Sequence, residues 1–251
     1  MFRARVIPCL LLRGHGLVKT RRFKDPVYVG DPVNAVRIFS EKEVDELVVL
    51  DIDASREGRE PNYELIAEIA GECFMPVAYG GGIRTLDQVR KLIRSGVEKV
   101  VVNSAALEST EVITAAAEVF GSQAMVAAID VRKPLLGGYK VVAKSATVEA
   151  KLRLDEHVRK VVAAGAGELF LNNVDRDGTM LGYDLELIRA VTRLVDVPVV
   201  ACGGAGTLEH LRQAVQDAGA SAVAAGSMFV FHGKHRAVLI NYPKQSELRS
   251  V

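Results

Sequence analysis

Neither sign of charge is in excess in this sequence: 32 basic residues stand against 31 acidic ones, a net charge of +1 over 251 residues. Interspersed charges so nearly balanced project no broad field, which argues against nucleic acid or a membrane surface as partner. The one short basic run, Arg21-Arg22-Phe23-Lys24, reads as a solvated loop. Cysteine is scarce. Cys9, Cys73 and Cys202 are odd in number and lack metal-ligand spacing, so reduced, structural thiols in a cytoplasmic protein are expected, with no metal and no cofactor. Long apolar runs are missing as well. None reaches membrane-spanning length, and the N-terminal stretch has neither a long apolar h-region nor a small-residue cleavage site.

What is present is an alternation. With 49% hydrophobic residues, the chain can bury one sizeable core, and residues 1–251 are expected to form a single domain. Short Val/Ile/Leu/Ala runs alternate eight times with longer amphipathic stretches. Strands are predicted near Arg5 to Leu11, Glu46 to Asp51, Val77 to Gly80, Lys99 to Val102, Met125 to Asp130, Glu168 to Asn172, Val199 to Cys202 and Ala222 to Ala225. Helices are predicted near Asp31 to Phe39, Tyr63 to Ile69, Leu86 to Arg94, Glu111 to Val119, Leu152 to Ala164, Leu185 to Leu194 and Leu208 to Asp217. Continuously apolar strands between helices mean a parallel sheet covered on its outer face. Pro76 and Pro198 fall at strand starts, where no ladder donor is lost. Thr20 to Gly30 reads as a mobile loop after the first strand, and Pro134-Leu135-Leu136-Gly137-Gly138 as a hairpin-like insertion after the fifth.

Matching pieces recur about 120 positions apart, a spacing too long for a solenoid and suited to a doubled half-domain. Leu11 answers to Asp130, Asp51 to Asn172, Gly81-Gly82 to Gly203-Gly204, and Ser104 to Ser227. Four plus four units point to a (β/α)8 TIM barrel with half-barrels at about 1–120 and 121–240. Barrel chemistry sits at the C-terminal strand ends, with phosphate often held after strands 7 and 8. Gly203, Gly204, Gly226 and Ser227 fall there, and the first half repeats the set in Gly81, Gly82 and Ser104. Glycine lets backbone N–H groups approach an oxyanion. A single glycine pair would indicate only a tight turn; the symmetric clusters favour an elongated ligand with a phosphate at each end. The duplication also breaks in one place. One matched strand ends in Asp130 and its counterpart in Leu11, leaving one carboxylate where two are expected.

The order of motifs resembles the HisF family, the cyclase subunit of imidazole glycerol phosphate synthase. The resemblance rests on Ile7-Pro8-Cys9-Leu10, Val18-Lys19, Gly30-Asp31-Pro32-Val33, Asp45-Glu46-Leu47-Val48-Val49-Leu50-Asp51-Ile52 and Gly80-Gly81-Gly82-Ile83 in the first half. In the second half it rests on Phe120-Gly121-Ser122-Gln123-Ala124, Ala128-Ile129-Asp130, Asp175-Arg176-Asp177-Gly178-Thr179, Gly182-Tyr183-Asp184 and Gly203-Gly204-Ala205-Gly206. It implies a barrel that takes ammonia from a HisH-like glutaminase docked on its N-terminal face and uses it to cleave and cyclise a bisphosphorylated ribulosyl nucleotide. It implies two catalytic aspartates. The second matches Asp130; the first matches Leu11, which cannot move a proton. Lys19 and Asp177 complete the implied catalytic set. The family's Thr-Ser after strand 6 is Asn172-Asn173 here, and its C-terminal helix is replaced by Val238 to Pro243. The family's charge ring at the barrel bottom, an ammonia gate, is matched by Arg5, Glu46, Lys99 and Glu168. Buried charges need mutual pairing, and two of each sign allow it.

A kept gate with a broken acid/base pair, and a terminal Phe231 to Pro243 segment of matching type, resemble the WbuZ kind of HisF-like protein. That kind implies ammonia delivery, with a glutaminase and a sugar amidotransferase, for acetamidino groups on a surface-polysaccharide sugar. Two other readings stay open: a histidine-pathway cyclase that tolerates Leu11, and a silent scaffold that activates the glutaminase.

Overall fold

Eight short apolar strands pair side by side and the last returns to the first. A computed structural model describes residues 3–249 and 251. The barrel strands are β1 Arg5–Arg13, β2 Leu47–Asp51, β3 Val77–Gly80, β4 Lys99–Val102, β5 Met125–Arg132, β6 Glu168–Asn173, β7 Val199–Cys202 and β8 Ala222–Ala225. Each is parallel to the next, and β8 closes on β1 through Arg5↔Ala222 to Pro8↔Ala225. The fold is the expected (β/α)8 barrel. Strand periodicity sorts the core in two, since successive side chains point to opposite faces. On β1, Val6, Leu10 and Leu12 face the helices. Ile7 and Cys9 instead join Val48, Ala78, Val101, Val126, Phe170, Val200 and Ala224 inside the barrel.

The covering helices start where a side chain can take an unpaired N–H. Asp31, Asn62, Asp184 and Thr207 each accept from the backbone three residues on, and Thr85 with Gln88 forms a reciprocal capping box. Among the described residues no helix is long and apolar enough to cross a membrane.

Two segments depart from expectation. Residues 20–30 form an antiparallel hairpin where a patternless loop was expected. Its strands, Gly16–Arg21 and Lys24–Gly30, turn at Arg22 and Phe23, both left-handed at φ 55° and 61°. The β-rich run Val27-Tyr28-Val29 and pairing to β1 at Leu11↔Val18 outweigh the basic composition. After β5, the expected insertion is a second hairpin: Lys140–Ala143 pairs with β5 and Val148–Arg153 pairs back onto it. That pairing holds Leu152 and Arg153 extended, so the helix predicted from 152 begins at Leu154 and runs to Ala163. The C-terminal stretch 238–243 is non-helical, as Pro243 requires. Tyr242 anchors it by packing on Phe229 at 5.3 Å and donating to the Val6 carbonyl at 2.8 Å.

Candidate functional site

The strand ends open into a cleft of about 990 Å³ on the C-terminal face, adjoined by a smaller one of about 390 Å³. Gly81, Gly82 and Ser104 line the larger; Lys19, Gly203, Gly204, Gly226 and Ser227 line the smaller. Cys9, Leu11, Thr20, Asp177 and Cys202 belong to both and form the shared wall. The structure thus gathers the residues singled out at the mouth, with the two glycine clusters on opposite sides. The glycines also have a steric reason of their own. A Cβ on Gly82 would lie 2.4 Å from the Arg59 carbonyl oxygen, and one on Gly204 would lie 2.2 Å from that of Gly182. Gly226 differs: a Cβ there would lie 2.5 Å from Lys19 Nζ, so its bareness admits the lysine.

Asp130 sits at the end of β5 with an amide on each oxygen. Asn103 Nδ2 donates to Oδ2 at 2.9 Å and Asn172 Nδ2 to Oδ1 at 3.1 Å. Burial pushes this carboxyl up to about 7, against the pull of the two amides and helped by the nearby Asp177 charge. Near that value a carboxyl can both accept and return a proton at neutral pH. Asn172 is buried, and its Oδ1 has no hydrogen-bond partner among the described residues.

Opposite, Leu11 lies with Leu50 and Cys9 against the cleft, so the β1 end offers hydrocarbon where a second proton carrier is expected. Asp177 is the carboxyl on the shared wall. It accepts from Thr20 Oγ1 at 2.9 Å, and burial raises its pKa while Lys19 opposes the rise. The Lys19 ammonium, buried and lowered in pKa by desolvation, donates to the Cys9 carbonyl.

The charge ring closes at the opposite end of the barrel. Lys99 Nζ lies 2.8 Å from Glu46 and 2.7 Å from Glu168, and Arg5 spans the same two carboxylates. Each charge therefore sits between two of opposite sign, which allows Glu46 and Glu168 to be 3% and 5% exposed. Between ring and mouth the barrel interior is lined by the apolar inward residues described above.

Sequence reasoning missed several contacts. As sequence alone, Cys9 and Cys202 read only as structural thiols at strand ends. They face each other on the shared wall, where hydrogen bonding to Cys202 lowers the Cys9 pKa, and both remain free thiols. Ser55 accepts from the Gly82 N–H at 3.2 Å. The pincer of Asn103 and Asn172 on Asp130 also went unseen, although polar residues at C-terminal strand ends are the signal that could have found it.

Comparison with known proteins adds a family. The model of the family described as "Histidine biosynthesis protein" matches residues 5–236. A protein of Pseudomonas aeruginosa strain PAO1 named "Putative imidazole glycerol phosphate synthase subunit hisF2" is 56% identical over 248 residues, 99% of each chain. A HisF-named protein of Leptospira borgpetersenii is 50% identical over 98% of each chain. One of Vibrio vulnificus named hisF3 is 49% identical over 98% of this chain and 95% of its own.

Proposed function

This chain belongs to the HisF family of histidine biosynthesis proteins, and from that premise we propose that it is the ammonia-using synthase subunit of a glutamine-dependent complex. A HisH-like glutaminase would dock on the bottom face and release ammonia at the ring of Arg5, Glu46, Lys99 and Glu168. The apolar interior keeps ammonia neutral and away from bulk water until it reaches the mouth. There Asp130 would take the proton that the nitrogen sheds as its new bond to carbon forms. The two glycine clusters would hold the two phosphates of an elongated ligand, with Lys19 as the cation at the second.

Leu11 carries the choice of acceptor. With hydrocarbon at the end of β1, only one of the two expected proton carriers remains, and Asn172 stands where the family has threonine. Both changes favour a paralogue whose ammonia ends on a surface-polysaccharide sugar, through a separate sugar amidotransferase, over a histidine-pathway cyclase. The cyclase reading draws its support from Asp177, a further carboxyl lining the same cleft as Asp130.

The two part in one assay. Given ammonium and the bisphosphorylated ribulosyl nucleotide, the protein should turn over at least ~10²-fold more slowly than a cyclase, the low end for losing one acid/base group. Leu11→Asp should recover part of that rate. Turnover near that of a cyclase by the unaltered protein returns it to histidine synthesis. No glutamine-driven amidation of any acceptor in the reconstituted complex leaves a scaffold.

A further inference from the structure

The two hairpins occupy equivalent places in the doubled barrel. The one after β1 carries Lys19 into the smaller cleft, beside the loops after β7 and β8. The one after β5 carries Lys144 at its turn, in the larger cleft beside Gly81, Gly82 and Ser104, the loops after β3 and β4. Each half-barrel thus lends a lysine to the glycine cluster of the other half. Lys144 is also the single cation on the wall of the larger cleft among the described residues, against Asp51, Asp130 and Asp177. Asp51 is offset by Arg59 at 3.4 Å, a residue outside that wall.

The turn is built to hold its place. Lys144, Ser145 and Ala146 are successive left-handed residues, at φ 50°, 57° and 60°, a strained run for side chains bearing a Cβ. It is pinned from both sides: the Lys144 N–H donates to Ser104 Oγ at 3.1 Å and Ser145 Oγ to the Ile52 carbonyl at 2.6 Å. We propose that Lys144 is the cation that recognises a phosphate monoester at the Gly81-Gly82-Ser104 cluster, an inference that rests on the two-phosphate reading of the mouth.

The halves differ in one respect. The residue before Ser227 is Gly226, whose bareness admits Lys19; the residue before Ser104 is Asn103, which carries a side chain there that donates to Asp130. Lys144 is paired at 3.6 Å with Glu108, a mostly exposed carboxylate. Such a pair is weak, so an arriving dianion displaces it readily.

Inorganic phosphate titrated into the full chain, followed by the amide signals of Gly82 and Gly204, reads the two clusters separately. Lys144→Gln should weaken binding at Gly82 about tenfold, the effect of one charge-assisted hydrogen bond. Gly204 should titrate as in the unaltered protein, Lys144→Arg should restore Gly82, and Glu108→Gln should tighten it. Wild-type affinity at Gly82 in Lys144→Gln, or equal weakening at both clusters, overturns the assignment of Lys144. If phosphate reaches Gly204 but never Gly82 in the unaltered protein, the two-phosphate reading itself falls.

Discussion

Asp130 shows how one environment can set both a chemistry and a pH dependence. Burial lifts its carboxyl from an ordinary 3.8 to about 7, while the Asn103 and Asn172 amides hold each oxygen in place. A raised carboxyl means that the folded state keeps a proton the unfolded chain has released. Its contribution to stability is therefore complete below pH 3.8 and lost as pH rises through about 7. Comparing melting temperatures of the protein and Asp130→Asn at pH 5 and pH 8 isolates this group. The unaltered protein should lose more stability over that interval than the variant; parallel lines for the two would mean that Asp130 titrates normally. Leu11 acts in the opposite direction, offering no titratable group to the same mouth, whose other carboxyls are Asp51 and Asp177.

At the scale of elements, the hairpins after β1 and β5 convert a plain barrel into one with a walled mouth. Each extends its barrel strand by antiparallel pairing and places its turn against a neighbouring loop. The first is tied to the loop after β6 by the Arg22 N–H donating to the Asp177 carbonyl at 2.9 Å. The helix that follows the second hairpin, Leu154–Ala163, carries a different liability. His157 on it is 1% exposed, its Nδ1 has no partner among the described residues, and burial lowers its pKa from 6.5 to about 4. A depressed histidine contributes stability above pH 6.5 that is lost as pH falls toward 4. The loss is at most about 1.4 kcal/mol per pH unit. Denaturant unfolding of His157→Leu should show a flatter slope than the unaltered protein over that range; equal slopes would show that His157 takes up no proton on unfolding.

On the scale of the whole molecule, the barrel has a charge ring at one end and a cleft at the other, with an apolar interior between them. Removing one member of the bottom ring leaves its two neighbours, which carry like charge, sharing a single remaining partner. Lys99→Ala leaves Glu46 and Glu168 facing each other with Arg5 alone between them. With a HisH-like glutaminase bound, Lys99→Ala and Glu46→Ala should release glutamate without matching amidated product, while added ammonium still supports product formation. Glutamine-driven amidation that is unchanged in both variants removes the gate from the account.

Much of this was legible in the linear sequence. Eight apolar runs between amphipathic stretches, and matched pieces about 120 positions apart, specified a doubled parallel barrel because hydrophobic period and repeat spacing are local properties. The positions of Gly81, Gly82, Gly203 and Gly204 at strand ends placed the mouth. The break at Leu11 was visible by matching alone. Tertiary structure decided which side chains meet. Asn103 and Asn172 converge on Asp130 from β4 and β6, Cys9 finds Cys202 from β1 and β7, and Arg5, Glu46, Lys99 and Glu168 alternate around one ring. Those meetings depend on the stagger of strands around a closed barrel, which no period within a single strand encodes. Nor could local composition show that residues 20–30 form a hairpin, because their pairing partner is β1 and their turn is anchored on the loop after β6.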